Sequence, residues 1–120
     1  EKTGFRPTVG DMYAGYTVIE NKFTGNTTIG IVMTNACFDK SRLCKIAGMA
    51  QNGVARSIHP VHTSADGDSV YAMSVGTVQA DMDMVGTLAA DVMSEAILSA
   101  VKNAETAYGY ISVNDFLTEY

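Results

Sequence analysis

The hydrophobic pattern changes character several times along the chain. Residues 1–15 (EKTGFRPTVGDMYAG) carry glycines and a proline without any period and read as loop. Residues 16–23 (YTVIENKF) are rich in β-formers and run into Thr24–Gly25–Asn26, which predicts a strand followed by a turn. In 27–35 (TTIGIVMTN) the centre is almost wholly apolar, the pattern of a strand buried on both faces, with Gly30 allowing close backbone approach. From Asp39 the spacing lengthens. Leu43, Ile46, Ala47, Ala50 and Val54 form one helical stripe, with Asp39 or Ser41 to cap it, Arg56 in its last turn and Pro60 beyond. Residues 59–68 (HPVHTSADGD) are a polar loop, and 69–76 (SVYAMSVG) a further apolar strand. The longest periodic stretch is 84–102. Val85, Leu88, Ala89, Val92, Ala96 and Val101 run along one stripe, widened by Met93, Ile97 and Ala100, with Asp83 as the cap and Lys102 at the end. Residues 105–120 are aromatic and weakly patterned.

The predicted order is strand, strand, helix, strand, helix, which is α/β material with helices long enough to cover a sheet. An apolar arc as wide as that of 84–102 is expected to be buried beyond its inner face, against a second layer or a second subunit. A length of 120 residues allows one domain or part of one. With 47% of residues apolar and 18% charged, the chain is no disordered segment, and a partner is expected to cover some of its apolar surface. The net charge of −5 argues against nucleic acid and against an anionic membrane surface. No run approaches 18 consecutive apolar residues, so a transmembrane helix is not predicted. Glu1 opens neither a basic head nor an apolar core of a secretory signal, so a processed product or fragment is expected. Cys37 and Cys44, seven apart, fit neither C-x-x-C nor a disulfide framework. They read as reduced, buried thiols in a cytoplasmic protein.

Candidate chemistry begins with exclusions. G-x-G-x-x-G and G-K-[ST] are both absent, so nucleotide binding lacks its usual signal. His59-x-x-His62 would need a third zinc ligand, for which Asp66 is the nearby candidate, and the pair reads better as a structural or substrate-facing loop. Asp66–Gly67–Asp68 begins like a calcium loop, but no acid follows from Ser69 to Val78, and a turn is the plain reading. No metal and no cofactor are expected. Asp81 and Asp83 are adequately explained as capping residues, and the seven methionines as core filler. Asn26–Thr27–Thr28 satisfies a glycosylation sequon but precedes a buried strand, so it is not taken as a sugar site. A sharper reading exists for Asn26–Thr27. A Thr hydroxyl at the head of a buried strand can attack the preceding carbonyl, and hydrolysis of the resulting ester frees Thr27 as a new N-terminus. Its α-amine, with a reference pKa near 8, then serves as general base to its own hydroxyl.

The runs GNTTIGIVMTNA (25–36), KIAGMAQNGVARSIHPVHT (45–63) and ADGDSVYAMSVG (65–76) resemble the small subunit of the self-cleaving DmpA-type aminopeptidase family. That family joins L-aminopeptidase/D-amidases, β-peptidyl aminopeptidases and the endo-type 6-aminohexanoate-oligomer (nylon oligomer) hydrolases. The resemblance covers about residues 20–102, and Thr rather than Ser after Asn26 looks like the nylon-oligomer branch. It implies that Thr27 is the nucleophile, that Asn26 is released on its upstream side, and that Asp66 and Asp68 are the acidic pair beside the new N-terminus. Which aspartate does which is left open. It further implies an αββα sandwich like that of N-terminal-nucleophile hydrolases, built jointly by a larger upstream subunit from the same precursor. Residues 1–26 would end that α subunit and 27–120 would be the nucleophile-bearing β subunit, in a homo-oligomer of αβ units.

The expected function is therefore endo-cleavage of small 6-aminohexanoate oligomers by an N-terminal-threonine amide hydrolase. Three alternatives stand beside it: an aminopeptidase of the same family, an acyl transferase of the ornithine acetyltransferase type, and a non-catalytic α/β subunit.

Overall fold

The computed structural model describes Tyr13 and residues 27–119. The strand expected over 16–23, the turn after it and Asn26 lie outside the described residues. Two strands and three helices follow: β1 (Ile29–Ala36), α1 (Lys40–Ser57), β2 (Ser69–Val78), α2 (Met82–Asn103) and α3 (Val113–Glu119). β1 and β2 pair in parallel, Ile29 opposite Ser69 and Thr34 opposite Ser74. Parallel strands need a crossover, and α1 supplies it. Past Thr34 the register shifts, bringing Ala36 opposite Val78. Gly76 permits this close approach: a Cβ there would stand 2.2 Å from the carbonyl oxygen of Asn35.

One face of the sheet is filled by helices. Of the stripe expected on α1, Ile46, Ala50 and Val54 are buried with Ala36 and Phe38 and with Ala89 and Met93 of α2, while Leu43 and Ala47 are half-buried. Val32, Val70 and Ala72 pack on this cluster from the strands. Burying a side chain such as Ile46 or Val54 stabilises by roughly 1.5–3 kcal/mol. The helices touch at small residues in steps of four. Gly53 lies against Ala90, Gly86 against Met49, and the hydroxyls of Ser57 and Ser94 meet at 2.7 Å. The ascending pairs show that α1 and α2 run in the same direction, and the Arg56–Asp91 ion pair adds a surface contact.

The described residues leave the other face of the sheet uncovered. Ile31, Met33 and Tyr71 are 62%, 65% and 60% exposed, and Ile29, Met73 and Val75 are exposed beside them. Of the two faces of β1 expected to be buried, the described residues cover the helix-facing one, so the strand alternates. On α2, too, the described residues cover one side only. Gly86, Ala89, Ala90 and Met93 are buried, while Leu88, Val92, Ala96, Ala100 and Val101 of the expected stripe are exposed. By length and composition α2 is long and apolar enough to cross a membrane, although it contains no unbroken apolar run of that length. In this fold its small-residue face is spent on α1.

Other details differ from expectation. Asp81, not Asp83, caps α2, its carboxylate accepting from Met84 N at 2.8 Å, while Asp83 sits in the first turn. Either aspartate satisfies the local rule. Cys37 and Cys44 are free but exposed rather than buried: Cys37 follows the buried end of β1 and Cys44 lies off the α1 stripe. Among the methionines Met93 is core filler, whereas Met33, Met73 and Met84 are exposed. The weakly patterned tail holds α3, entered through a tight turn with Tyr108 and Gly109 at positive φ (53° and 83°). Ser112 caps α3: Asp115 N donates to Ser112 Oγ at 3.2 Å, that hydroxyl donates to Asp115 Oδ2 at 2.9 Å, and Ser112 N donates to Thr106 Oγ1 at 2.8 Å.

Candidate active site

Thr27 stands two residues before β1, where the chain passes the loop that leads into β2. The strand's near-continuous apolar run fixes where it enters the sheet, and the polar Thr27–Thr28 pair is left at the rim. Two backbone ties hold this rim: Thr28 N–H donates to Asp68 Oδ1 at 2.9 Å, and Ser69 N–H donates to Thr28 O at 2.9 Å. Thr27 Oγ1 lies over Gly67, so close that a Cβ added there would stand 2.8 Å from it. Gly67 therefore leaves room for the hydroxyl.

The two aspartates expected from sequence lie in this same loop but make different bonds. Asp68 is nearly buried, its side chain 8% exposed, and its second oxygen lies 3.1 Å from His62 Nδ1. Asp66 turns inward on its own loop: Oδ2 accepts from Thr63 N at 2.6 Å, while Asp66 N donates to Thr63 O at 3.1 Å. Asp66 thus shapes the turn that presents Gly67, and Asp68 contacts the strand that carries Thr27. His62, expected only as part of a structural or substrate-facing loop, is the residue that meets Asp68. Its backbone is left-handed (φ 57°), and no spacing rule announces that a loop histidine will meet an aspartate six residues on. His59 is exposed, and among the described residues no three His, Cys, Asp or Glu side chains stand together as a metal site.

A hydroxyl held against a glycine, beside a shielded carboxylate and at the head of a strand, suits a nucleophile that must be fixed before it reacts. The carboxylate favours positive charge nearby, such as the ammonium form of an α-amine. A shallow hollow along α2, lined by Asp83, Met84, Thr87, Leu88 and Asp91, shares no residue with this cluster.

The profile of peptidase family S58 matches residues 5–113. The chain belongs to this family. It is 33% identical to an uncharacterized aminopeptidase of Mycobacterium leprae over 91% of this chain and 34% of that protein. An uncharacterized aminopeptidase of Mycobacterium tuberculosis is likewise 33% identical, over 75% of this chain and 30% of its own length. The 6-aminohexanoate-oligomer endohydrolase of a Kocuria species is 30% identical over 65% of this chain and 26% of that enzyme. The chain thus spans about a third or less of the curated relatives it matches. No solved structure matches it significantly.

Proposed function

We propose that this S58 chain carries the nucleophile of a self-processing N-terminal-threonine amide hydrolase acting endo-wise on 6-aminohexanoate oligomers. Thr27 Oγ attacks the carbonyl carbon of Asn26, the Asn26–Thr27 C–N bond breaks, and an ester forms. Water hydrolyses that ester, leaving Asn26 with a carboxylate and Thr27 with a free hydroxyl and α-amine. In turnover the α-amine takes the hydroxyl proton as Oγ attacks a substrate amide, and the proton then passes to the leaving amine. Water releases the acyl group in a second step. Asp68 holds the Thr27–Thr28 backbone and its charge favours the ammonium form, while Asp66 maintains the turn under the nucleophile. The observation that carries this reading is Thr27 Oγ1 against Gly67, next to the Asp68–Thr28 bond.

The exposed apolar face of β1 and β2 supports an αββα sandwich, in which a second sheet from an upstream subunit covers Ile31, Met33 and Tyr71. The exposed Leu88, Val92 and Val101 of α2 support further association of αβ units into a homo-oligomer. A second reading, an aminopeptidase on short peptides, is favoured by the mycobacterial relatives, whose alignments extend over more of this chain. Product analysis of the full-length protein tests both. Internal cuts in 6-aminohexanoate oligomers support the endo reading, and stepwise release of N-terminal residues from short peptides supports the second. Hydrolysis by Thr27→Ala would remove the nucleophile from either.

A further inference from the structure

The His59-x-x-His62 pair splits in the structure, and only His62 joins the nucleophile cluster. Its left-handed backbone (φ 57°) is uncommon for any residue but glycine, and it aims the imidazole at Asp68. Asp68 Oδ2 lies 3.1 Å from His62 Nδ1, while Oδ1 accepts from Thr28 N at 2.9 Å. A carboxylate only accepts, so with Asp68 ionised the proton of a neutral imidazole sits on Nδ1 and is donated to Oδ2. The terminal torsion of an aspartate is broad, and one partner alone leaves the carboxylate free to swing. Partners on both oxygens fix its plane.

We infer that His62 is a positioning residue. Its Nδ1–H orients the Asp68 carboxylate so that the other oxygen holds the Thr28 amide and sets Thr27 Oγ1 over Gly67. This rests on the reading of Thr27 as nucleophile. The loop does not need the imidazole for its shape, because Thr63 and Asp66 close it through their own two bonds, 2.6 Å and 3.1 Å. A side-chain change at His62 therefore reports on Asp68 and not on the turn.

The test uses full-length protein with its upstream sequence, a 6-aminohexanoate oligomer and an aminoacyl anilide as probes. His62→Gly keeps the backbone conformation and removes the donor. His62→Asn also tolerates this conformation and restores a donor through its side-chain amide. His62→Gly is expected to slow self-cleavage and lower kcat roughly tenfold or more, with KM within about twofold. His62→Asn should recover most of the loss, and thermal unfolding should hardly change in either. In an Asp68→Asn background His62→Gly should add no further loss, since the two act as one unit. Wild-type kcat in His62→Gly, no recovery in His62→Asn, or fully additive losses in the double variant would each overturn the inference while leaving a self-cleaved wild type intact. An uncut wild type would instead overturn the reading of Thr27, and the role of His62 with it.

Discussion

Asp68 Oδ1 holds the backbone N–H of Thr28 at 2.9 Å across 40 positions of sequence. This bond joins the head of β1 to the loop that enters β2, and the Ser69–Thr28 bond continues it as the first rung of the parallel ladder. A hydrogen bond to a charged group contributes roughly 1.5–3 kcal/mol. Asp68 thus fixes the residue after Thr27 and places a negative charge beside it.

Asparagine at either aspartate preserves turn chemistry and an acceptor oxygen but removes the charge. Asp68→Asn is expected to lower kcat and self-cleavage by roughly 10²-fold, with little change in thermal unfolding. Asp66→Asn should lose less, because an amide oxygen can still accept from Thr63 N. Steady-state kinetics on both variants decide the point, and equal turnover in the two would count against the division of roles.

Gly67→Ala tests the seat of the nucleophile without touching a functional group. The new methyl would stand 2.8 Å from Thr27 Oγ1, a side-chain end that can rotate away. The protein should fold normally while the hydroxyl leaves its position. Self-cleavage is expected to fall at least about tenfold, as misplacement of a reacting atom predicts. Unchanged cleavage, followed by gel or mass, would show that Thr27 need not rest on Gly67.

Two helix glycines should respond differently to alanine. At Gly53 a Cβ would stand 2.1 Å from the Ala90 carbonyl oxygen, which is backbone, so α1 and α2 must part. Overpacking of this kind costs roughly 1–3 kcal/mol. At Gly86 the neighbour is the Met49 side chain, whose Sδ would lie 2.3 Å away but can move. There the helical preference of Ala over Gly, about 1 kcal/mol, offsets the crowding. Urea unfolding of the two variants should show clear destabilisation only for Gly53→Ala.

Asp115 gives the tail a pH dependence. Its hydrogen bonds with Thr106, chiefly, and with Ser112 hold its carboxyl below the ordinary aspartate range. A depressed folded value means that the stabilisation is present above the ordinary aspartate pKa and is lost as pH falls through the lower, folded one. Amide exchange over α3 should therefore be faster in Asp115→Asn than in the parent at neutral pH. At acid pH the two should converge, and a gap that persists there would assign the effect to shape rather than charge.

Much of the described fold is legible in the residues. The switch from the dense run at Ile29–Met33 to the spacing of Ile46, Ala50 and Val54 marks β1 and α1, and of the two caps expected, Asp39 and Ser41, it is Asp39 that caps α1, accepting from Arg42 N at 2.8 Å. The bare sheet face is not legible, because Ile31 and Met33 look the same whether their own chain or another covers them. Nor is the choice of Asp81 over Asp83, since alternate aspartates offer the same cap. α3 is too short to show a period, although Ser112-x-x-Asp115 carries a capping signal. At the site, resemblance singles out Thr27, Asp66 and Asp68, and the loop does lie against Thr27. The difference between the two aspartates depends on the turn closed by Thr63 and on the left-handed backbone of His62, neither of which has a periodic signature.

Self-cleavage is read most directly by intact-mass spectrometry of the full-length protein under conditions in which it hydrolyses amides. Two chains are expected, the smaller beginning at Thr27, and a single chain for Thr27→Ala. One uncut chain in an active wild-type preparation would contradict both the processing at Asn26–Thr27 and the α-amine as base.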